Sequence, residues 1–330
     1  MSAPAARARR AVRSTCGGVA AAGLVGVLTP IWCADRARAA LRTRRTRPAR
    51  VAVPVVEIDH LDDLADIVDG PSPVIVSGFV DRLDLDHPAD LDGLRRIADH
   101  TDSAFPVARH RDDAPYFLYV GDYGSEKVAT ERLTLHEFLD DLFGPDGAER
   151  GPDRTTYQLF SVDRLDGQVG HVVDRMAERL GPATGRRPDR SASGIWVGSR
   201  GCVTPLHHDA WTGLLVQTHG SKRVALYHPD DRRNVYFSSP FRPTSRWSEL
   251  PARSSEADPD RFPRLRRATR WETVLEAGQA LFIPPYWSHE VEALDANISI
   301  PFRFRPRARD HLDPGFLRPA VEILHRKVAA

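Results

Sequence analysis

Gly201-Cys-Val-Thr-Pro-Leu-His-His-Asp-Ala210, answered far downstream by Ala280-Leu-Phe-Ile-Pro-Pro-Tyr-Trp-Ser-His289, decides the reading of this 330-residue chain. Together the two stretches supply two imidazoles and one carboxylate. His207 and Asp209 stand two residues apart. Side chains on a strand alternate between faces, so this spacing points both the same way and turns His208 to the other face. His289 arrives on a different strand. Two histidines and one carboxylate on one face of an octahedral ion leave the opposite positions open for a co-substrate and O2, the arrangement of non-haem Fe(II) oxygenases. A His-x-Asp pair by itself is a weak signal, equally at home in a turn or a core.

The surroundings strengthen it. From Ile195 to Arg200 and from Leu214 to Tyr227, apolar β-formers alternate with polar residues and break at Gly and Ser-Lys turns, as successive antiparallel strands do. Val274 to Ala293 reads strand, turn at Ala277-Gly278, strand, Pro284-Pro285 loop and strand, with His289 where the last begins. In these blocks the chain resembles the Jumonji-C and cupin-like family of oxygenases. The likeness is to the family's bacterial cupin-like branch in particular, and to the asparaginyl hydroxylase that acts on hypoxia-inducible factor, and it extends roughly from Val53 to Arg305.

That resemblance implies a mainly β domain with flanking helices, folded as a double-stranded β-helix of the jelly-roll or cupin type. It implies Fe(II) held by His207, Asp209 and His289, with 2-oxoglutarate and O2 as co-substrates. Lys222, fifteen residues after His207, falls where the family has the lysine that meets the far carboxylate of 2-oxoglutarate. Thr204, three before His207, matches a threonine donor, and Tyr157 in Thr155-Thr-Tyr-Gln-Leu-Phe160 matches a tyrosine on an upstream strand. Taken singly, a hairpin lysine, a turn threonine and a core tyrosine are ordinary residues.

The departures point the other way. The family often has an asparagine six residues after its first ligand and another near the end of the final strand, and Gly213 and Pro301 stand at those places here. The metal-bound end of 2-oxoglutarate then relies on other groups, with Ser299, Asn297 or water as candidates. The implied reaction is hydroxylation of an aliphatic carbon, on a protein side chain or a small metabolite, coupled to oxidation of 2-oxoglutarate to succinate and CO2. Two competing readings stay open. Lys222, Thr204 and Tyr157 argue against a metal-dependent cupin enzyme that does not use 2-oxoglutarate. Gly213 and Pro301 keep alive a non-catalytic cupin binding or scaffold protein.

With 41% hydrophobic residues over this length, one large domain can bury a full core. The three cysteines, Cys16, Cys33 and Cys202, are too few and too scattered for a disulfide framework or a cysteine metal cluster, which favours a reducing compartment. The net charge of +1 hides an asymmetry, because residues 1–50 hold 11 of the 46 Lys and Arg but a single acid, Asp35. The remainder, with 35 basic and 44 acidic residues, is a poor partner for nucleic acid, whose affinity rests on phosphate neutralisation.

Within that basic N-terminal extension, the 21 residues of 14–34 are uncharged, about the length that crosses a bilayer as a helix. Pro30 interrupts them, so the extension reads as a candidate membrane anchor with a transmembrane segment, an unstructured extension, or a wrongly assigned start codon. Four arginines precede 14–34 and seven follow, and the richer side stays cytoplasmic, so a spanning segment leaves the catalytic domain in the cytoplasm.

Residues 51–330 read as one cupin-like domain. Strands are predicted at Val53–Ile58 and Pro73–Val80, and helices at Leu61–Val68, Leu91–Ala98, Leu133–Phe143 and Gln168–Leu180. Thr134 and Glu137 form a capping box for the third of these helices. Residues 229–270, with ten Arg against six acids, lie between the ligand-bearing strands and either select an acidic substrate at the mouth or form a solvated loop. The terminal stretch 314–328 has helical spacing and either packs on its own domain or makes a homodimer.

Overall fold

The computed structural model describes residues 50–83, 90–110, 128–144, 156–161, 165, 167–237 and 246–305. The candidate anchor 14–34 and the terminal helix 314–328 lie outside these residues. Among the described residues, no helix is long and apolar enough to cross a membrane.

Fourteen described strands form two sheets. They are β1 (Arg50–Ala52), β2 (Val55–Glu57), β3 (Val74–Ser77), β4 (Phe105–His110), β5 (Val128–Leu133), β6 (Thr156–Ser161) and β7 (Gly194–Gly198), then β8 (Val203–His208), β9 (Thr212–His219), β10 (Lys222–Tyr227), β11 (Arg270–Leu275), β12 (Ala280–Ile283), β13 (Ser288–Ala293) and β14 (Asn297–Phe304). One sheet has the order β1-β11-β10-β13-β8 and the other the order β2-β3-β12-β9-β14-β7-β6-β4-β5. The chain passes repeatedly from one sheet to the other, which is the jelly-roll arrangement that the family resemblance implies.

Strand alternation sorts the side chains into layers. On the larger sheet Leu214, Val216, Phe282, Ile298, Ile300, Phe302 and Phe304 point outward into a core shared with Phe138, Val169, Val173, Met176 and Leu180 of the helices. The intervening positions Leu281 and Ile283 point inward, against Val224, Leu226, Leu275 and Trp287 of the smaller sheet and the loop before it. Each fully buried aromatic or branched side chain contributes about 1.5–3 kcal/mol, so the outer layer of helices is held by the sheet rather than by its own propensity. On β14 the same alternation leaves Ser299, Pro301 and Arg303 on the inward face.

The local predictions fared unevenly, for identifiable reasons. Helix Leu91–Ala98 has the predicted bounds, and helix Leu135–Phe143 is opened by the expected capping box of Thr134 and Glu137. Of the strand predicted over Val53–Ile58, Val55–Glu57 forms as β2, and a separate strand, β1 (Arg50–Ala52), precedes it. Proline has no N–H for a ladder, and at Pro54 the chain leaves the smaller sheet, where β1 pairs with β11, for the larger, where β2 pairs with β3. The strand predicted to reach Val80 stops at Ser77, because Gly78 adopts a left-handed φ of 66° and starts a short helix at Phe79. Helix Gln168–Thr184 runs one turn past Leu180 and ends at Gly185, whose φ of 61° makes a left-handed C-terminal cap.

Candidate active site

The site is built on two neighbouring strands of the smaller sheet. His207 on β8 stands directly opposite His289 on β13, with ring centroids 4.2 Å apart. His207, Asp209 and His289 each bring one ligand atom to within 4.8 Å of the others, close enough to hold a single ion. His207 Nδ1 lies 2.9 Å from the Pro205 carbonyl and His289 Nδ1 lies 3.1 Å from the Trp287 carbonyl. A carbonyl only accepts, so both Nδ1 atoms carry the proton and both Nε2 atoms keep a lone pair for an ion. Burial pulls the His207 pKa down to about 3 and lowers that of His289, which keeps both rings neutral, as metal ligands must be.

Burial opposes ionisation of Asp209, yet the Arg303 guanidinium, with that of Arg246, holds its carboxyl well below the usual carboxylate range. Arg246 Nη2 donates to Oδ1 at 2.9 Å and Arg303 Nη2 to Oδ2 at 3.0 Å, so each oxygen is fixed from outside. The Asp209 carbonyl also accepts from the Tyr286 N–H at 2.8 Å, tying the Pro-Pro loop to the end of β8 while Tyr286 sits at a φ of 65°. Such left-handed non-glycine residues cluster at functional sites. His208 points away as the alternation predicts, and packs against Phe237 with ring centroids 5.1 Å apart.

A β-bulge corrects the simple period-two picture. Across β8 and β13 the register runs His207 opposite His289 but Thr204 opposite Val291, so β8 spends three steps where β13 spends two. The extra residue falls at Pro205-Leu206, and a proline in a sheet is most at home at a bulge. Strict alternation would put Thr204 and His207 on opposite faces. With the bulge, both line the same cavity, together with Asp209, His289, Lys222 and Ser299.

Lys222 enters that cavity from β10. Its side chain is 4% exposed and its ammonium donates to the Ser299 hydroxyl at 2.6 Å; among the described residues no carboxylate pairs with it. Burial lowers its pKa to about 8. Ser299 therefore serves the lysine rather than the metal end. Asn297, the other candidate for that end, donates to the carbonyls of Gly198 and Asp295 at 3.1 and 3.0 Å and is a strand-end tie. Gly213 and Pro301 both line the cavity, so the two places without side-chain donors do face the site. Tyr157 is on β6, opposite Gly198 of β7; its side chain lies outside the described residues.

The residues that sequence reasoning missed come from the arginine-rich insert and from the end of β14. Trp247 pairs with His207 as an isolated bridge on the outer edge of β8, and its ring stacks on the His207 imidazole at 4.7 Å and 28°. His208 N–H donates to the Arg246 carbonyl and Ser248 N–H to the Leu206 carbonyl, so part of the insert acts as an added strand covering that edge. The only hint in the sequence was a lone Arg-Trp in a polar, proline-rich stretch.

The donor set, its protonation and the buried cation in the same cavity fit a divalent ion and a dicarboxylate. This is the architecture and site of a cupin-type metal protein. The family described as "Cupin-like domain" matches residues 62–310, and the chain belongs to it. Relatives include HSPB1-associated protein 1 of Bos taurus, 38% identical over 196 residues, 56% of this chain and 38% of that protein. Lysine-specific demethylase 8 of Danio rerio is 26% identical over 244 residues, 71% of this chain and 53% of that protein. Jumonji C domain-containing protein 5 of Drosophila melanogaster is 24% identical over 184 residues, 55% of this chain and 44% of that protein. The chain thus spans between 38% and 53% of the length of these relatives.

Proposed function

We propose that the chain is a 2-oxoglutarate- and Fe(II)-dependent oxygenase that hydroxylates an aliphatic carbon of a protein side chain or small metabolite. One observation supports this above the rest: Lys222, buried to 4% exposure, faces the cavity that also holds His207, Asp209 and His289. A buried ammonium with only a hydroxyl partner is costly unless an anion completes it. The far carboxylate of 2-oxoglutarate is such an anion. In this reading His207, Asp209 and His289 hold the metal, and Lys222, Thr204 and Tyr157 hold the co-substrate. When bound, the metal and 2-oxoglutarate supply the oxidising chemistry that breaks the C–H bond. The chain's own groups fix the ligand rings, keep Asp209 ionised and exclude water behind Trp247 and the apolar cavity wall.

Hydroxylation is preferred to demethylation of a methylated lysine, the reaction in the name of the Danio rerio relative, because a cation, Arg246, stands beside the triad at 2.9 Å from Asp209. The Trp247 ring is already stacked on His207 and approached by the Arg246 guanidinium at 5.6 Å. A methylammonium would meet Arg246 there instead of an open aromatic face. The test is anaerobic loading with Fe(II), followed by O2-dependent conversion of 2-oxoglutarate to succinate without added substrate. Turnover in the wild type that disappears in His207→Ala is expected. A protein that binds iron but neither binds nor consumes 2-oxoglutarate would return the chain to the metal-dependent or non-catalytic cupins.

A further inference from the structure

The metal-bound end of the cavity is served by one side chain that no motif marks. Arg303 lies on the inward face of β14, two residues beyond Pro301 and four beyond Ser299, and lines the cavity with them. Its Nη1 donates to the Ala192 carbonyl at 3.0 Å and its Nη2 to Asp209 Oδ2 at 3.0 Å, so the guanidinium plane is fixed at two points. A guanidinium has five N–H donors, and these two bonds leave others for a ligand. Asp209 is meanwhile shared with Arg246, so two cations surround one carboxylate and a positive charge is left over beside the triad. Arg246 is 46% exposed and outside the cavity lining, whereas Arg303 is 23% exposed and within it.

The same strand therefore brings Ser299, with Lys222, to one part of the cavity and Arg303, four residues on, to another. Two cations lining one cavity suit a ligand with a carboxylate at each end. Opposite Arg303 on β9 stands Gly213, where an added Cβ would meet only Ile283 atoms at 3.8 Å, so the wall there is open rather than filled.

Resting on the oxygenase reading above, we infer that Arg303 binds the metal-end carboxylate of the 2-oxo-dicarboxylate co-substrate, supplying the donor that Gly213 and Pro301 lack. Asp209 orients this guanidinium, and the guanidinium in turn orients Asp209. The binding role is separable from the clamp because Arg246 shares only the clamp.

The experiment uses the full chain loaded with Mn(II) under argon, so that no turnover occurs, and titrates first the metal and then 2-oxoglutarate by calorimetry. Arg303→Gln is expected to weaken 2-oxoglutarate binding by roughly 10- to 100-fold, the range of a charged hydrogen bond, while Mn(II) affinity changes less. Arg303→Lys, which keeps the charge, should recover part of that loss. Arg246→Gln, which removes the other clamp on Asp209, should leave 2-oxoglutarate affinity within about threefold of wild type, a difference below 1 kcal/mol. The inference is overturned if Arg303→Gln binds 2-oxoglutarate like the wild type. It is equally overturned if Arg303→Gln and Arg246→Gln lose metal and co-substrate in the same proportion, since Arg303 is then only a clamp. Wild type that binds Mn(II) but no 2-oxoglutarate would instead sink the parent reading. Melting curves of both Arg303 variants separate any of these outcomes from misfolding.

Discussion

Lys222 Nζ and Ser299 Oγ meet at 2.6 Å across the interior of the jelly roll, joining a strand of the smaller sheet to one of the larger. The pair sets a cation where the apolar walls of both sheets would otherwise close. Lys222→Met should therefore weaken 2-oxoglutarate binding by roughly 3–5 kcal/mol, the loss expected when a buried charge loses its partner. The ligand-free protein should melt higher in the same variant, because an uncompensated ammonium is replaced by an apolar chain of similar length. Calorimetry and thermal melts check the two halves, and a lower melting point with unchanged affinity would show the lysine to be structural.

The lysine also sets a pH window. Its folded pKa of about 8 lies below the ordinary 10.5, so between these values the unfolded chain binds more protons than the folded one. Stability of the ligand-free protein contributed by this group accordingly rises as pH climbs through that window. Affinity for 2-oxoglutarate moves the opposite way, falling above about pH 8 as the ammonium that receives the carboxylate is lost. Both trends should vanish in Lys222→Met, measured by melts and titrations from pH 7 to 10.

Metal content should discriminate the three histidines, His207 and His208 of β8 and His289 of β13. His207→Ala and His289→Ala are expected to lose the bound ion, while His208→Ala keeps it, because the His208 ring packs against Phe237 on the other face. Iron assays on anaerobically purified variants settle it. Loss in His208→Ala with retention in His207→Ala would mean that the strand register is wrong.

Away from the site, Thr134 caps helix Leu135–Phe143 through a reciprocal pair, accepting from Glu137 N–H while Glu137 accepts from Thr134 N–H at 2.8 Å. Thr134→Ala should cost about 1 kcal/mol. Chemical denaturation should show that loss with metal affinity unaltered, since the helix packs on the outer face of the larger sheet.

The basic extension offers a topological test. With four arginines before residues 14–34 and seven after, a spanning segment leaves the C-terminal domain on the cytoplasmic side, where 2-oxoglutarate and ferrous iron are supplied. A C-terminal tag should then fractionate with membranes and resist protease added to intact cells. A tag found wholly in the soluble fraction removes the anchor.

The sequence by itself determined the strands and the shared face of His207 and Asp209, since alternation specifies both whatever else the chain does. The jelly-roll class and His289 as the third ligand were legible through family resemblance. Lys222 and Thr204 were legible only through family resemblance, because nothing local distinguishes a cavity lysine from a hairpin lysine. The sheet pairing decided the rest. The bulge at Pro205-Leu206 brings Thr204 round to the face of His207 against strict alternation. Trp247 and Arg246 reach His207 and Asp209 from about forty residues downstream, because the insert binds the open edge of β8. Arg303 reaches Asp209 from 94 residues away, through a register that only the packed sheets impose. Contacts of this kind depend on which strand edge a segment covers and where a bulge falls. Those are set by the free energy of the whole sandwich and not by any window of neighbouring residues.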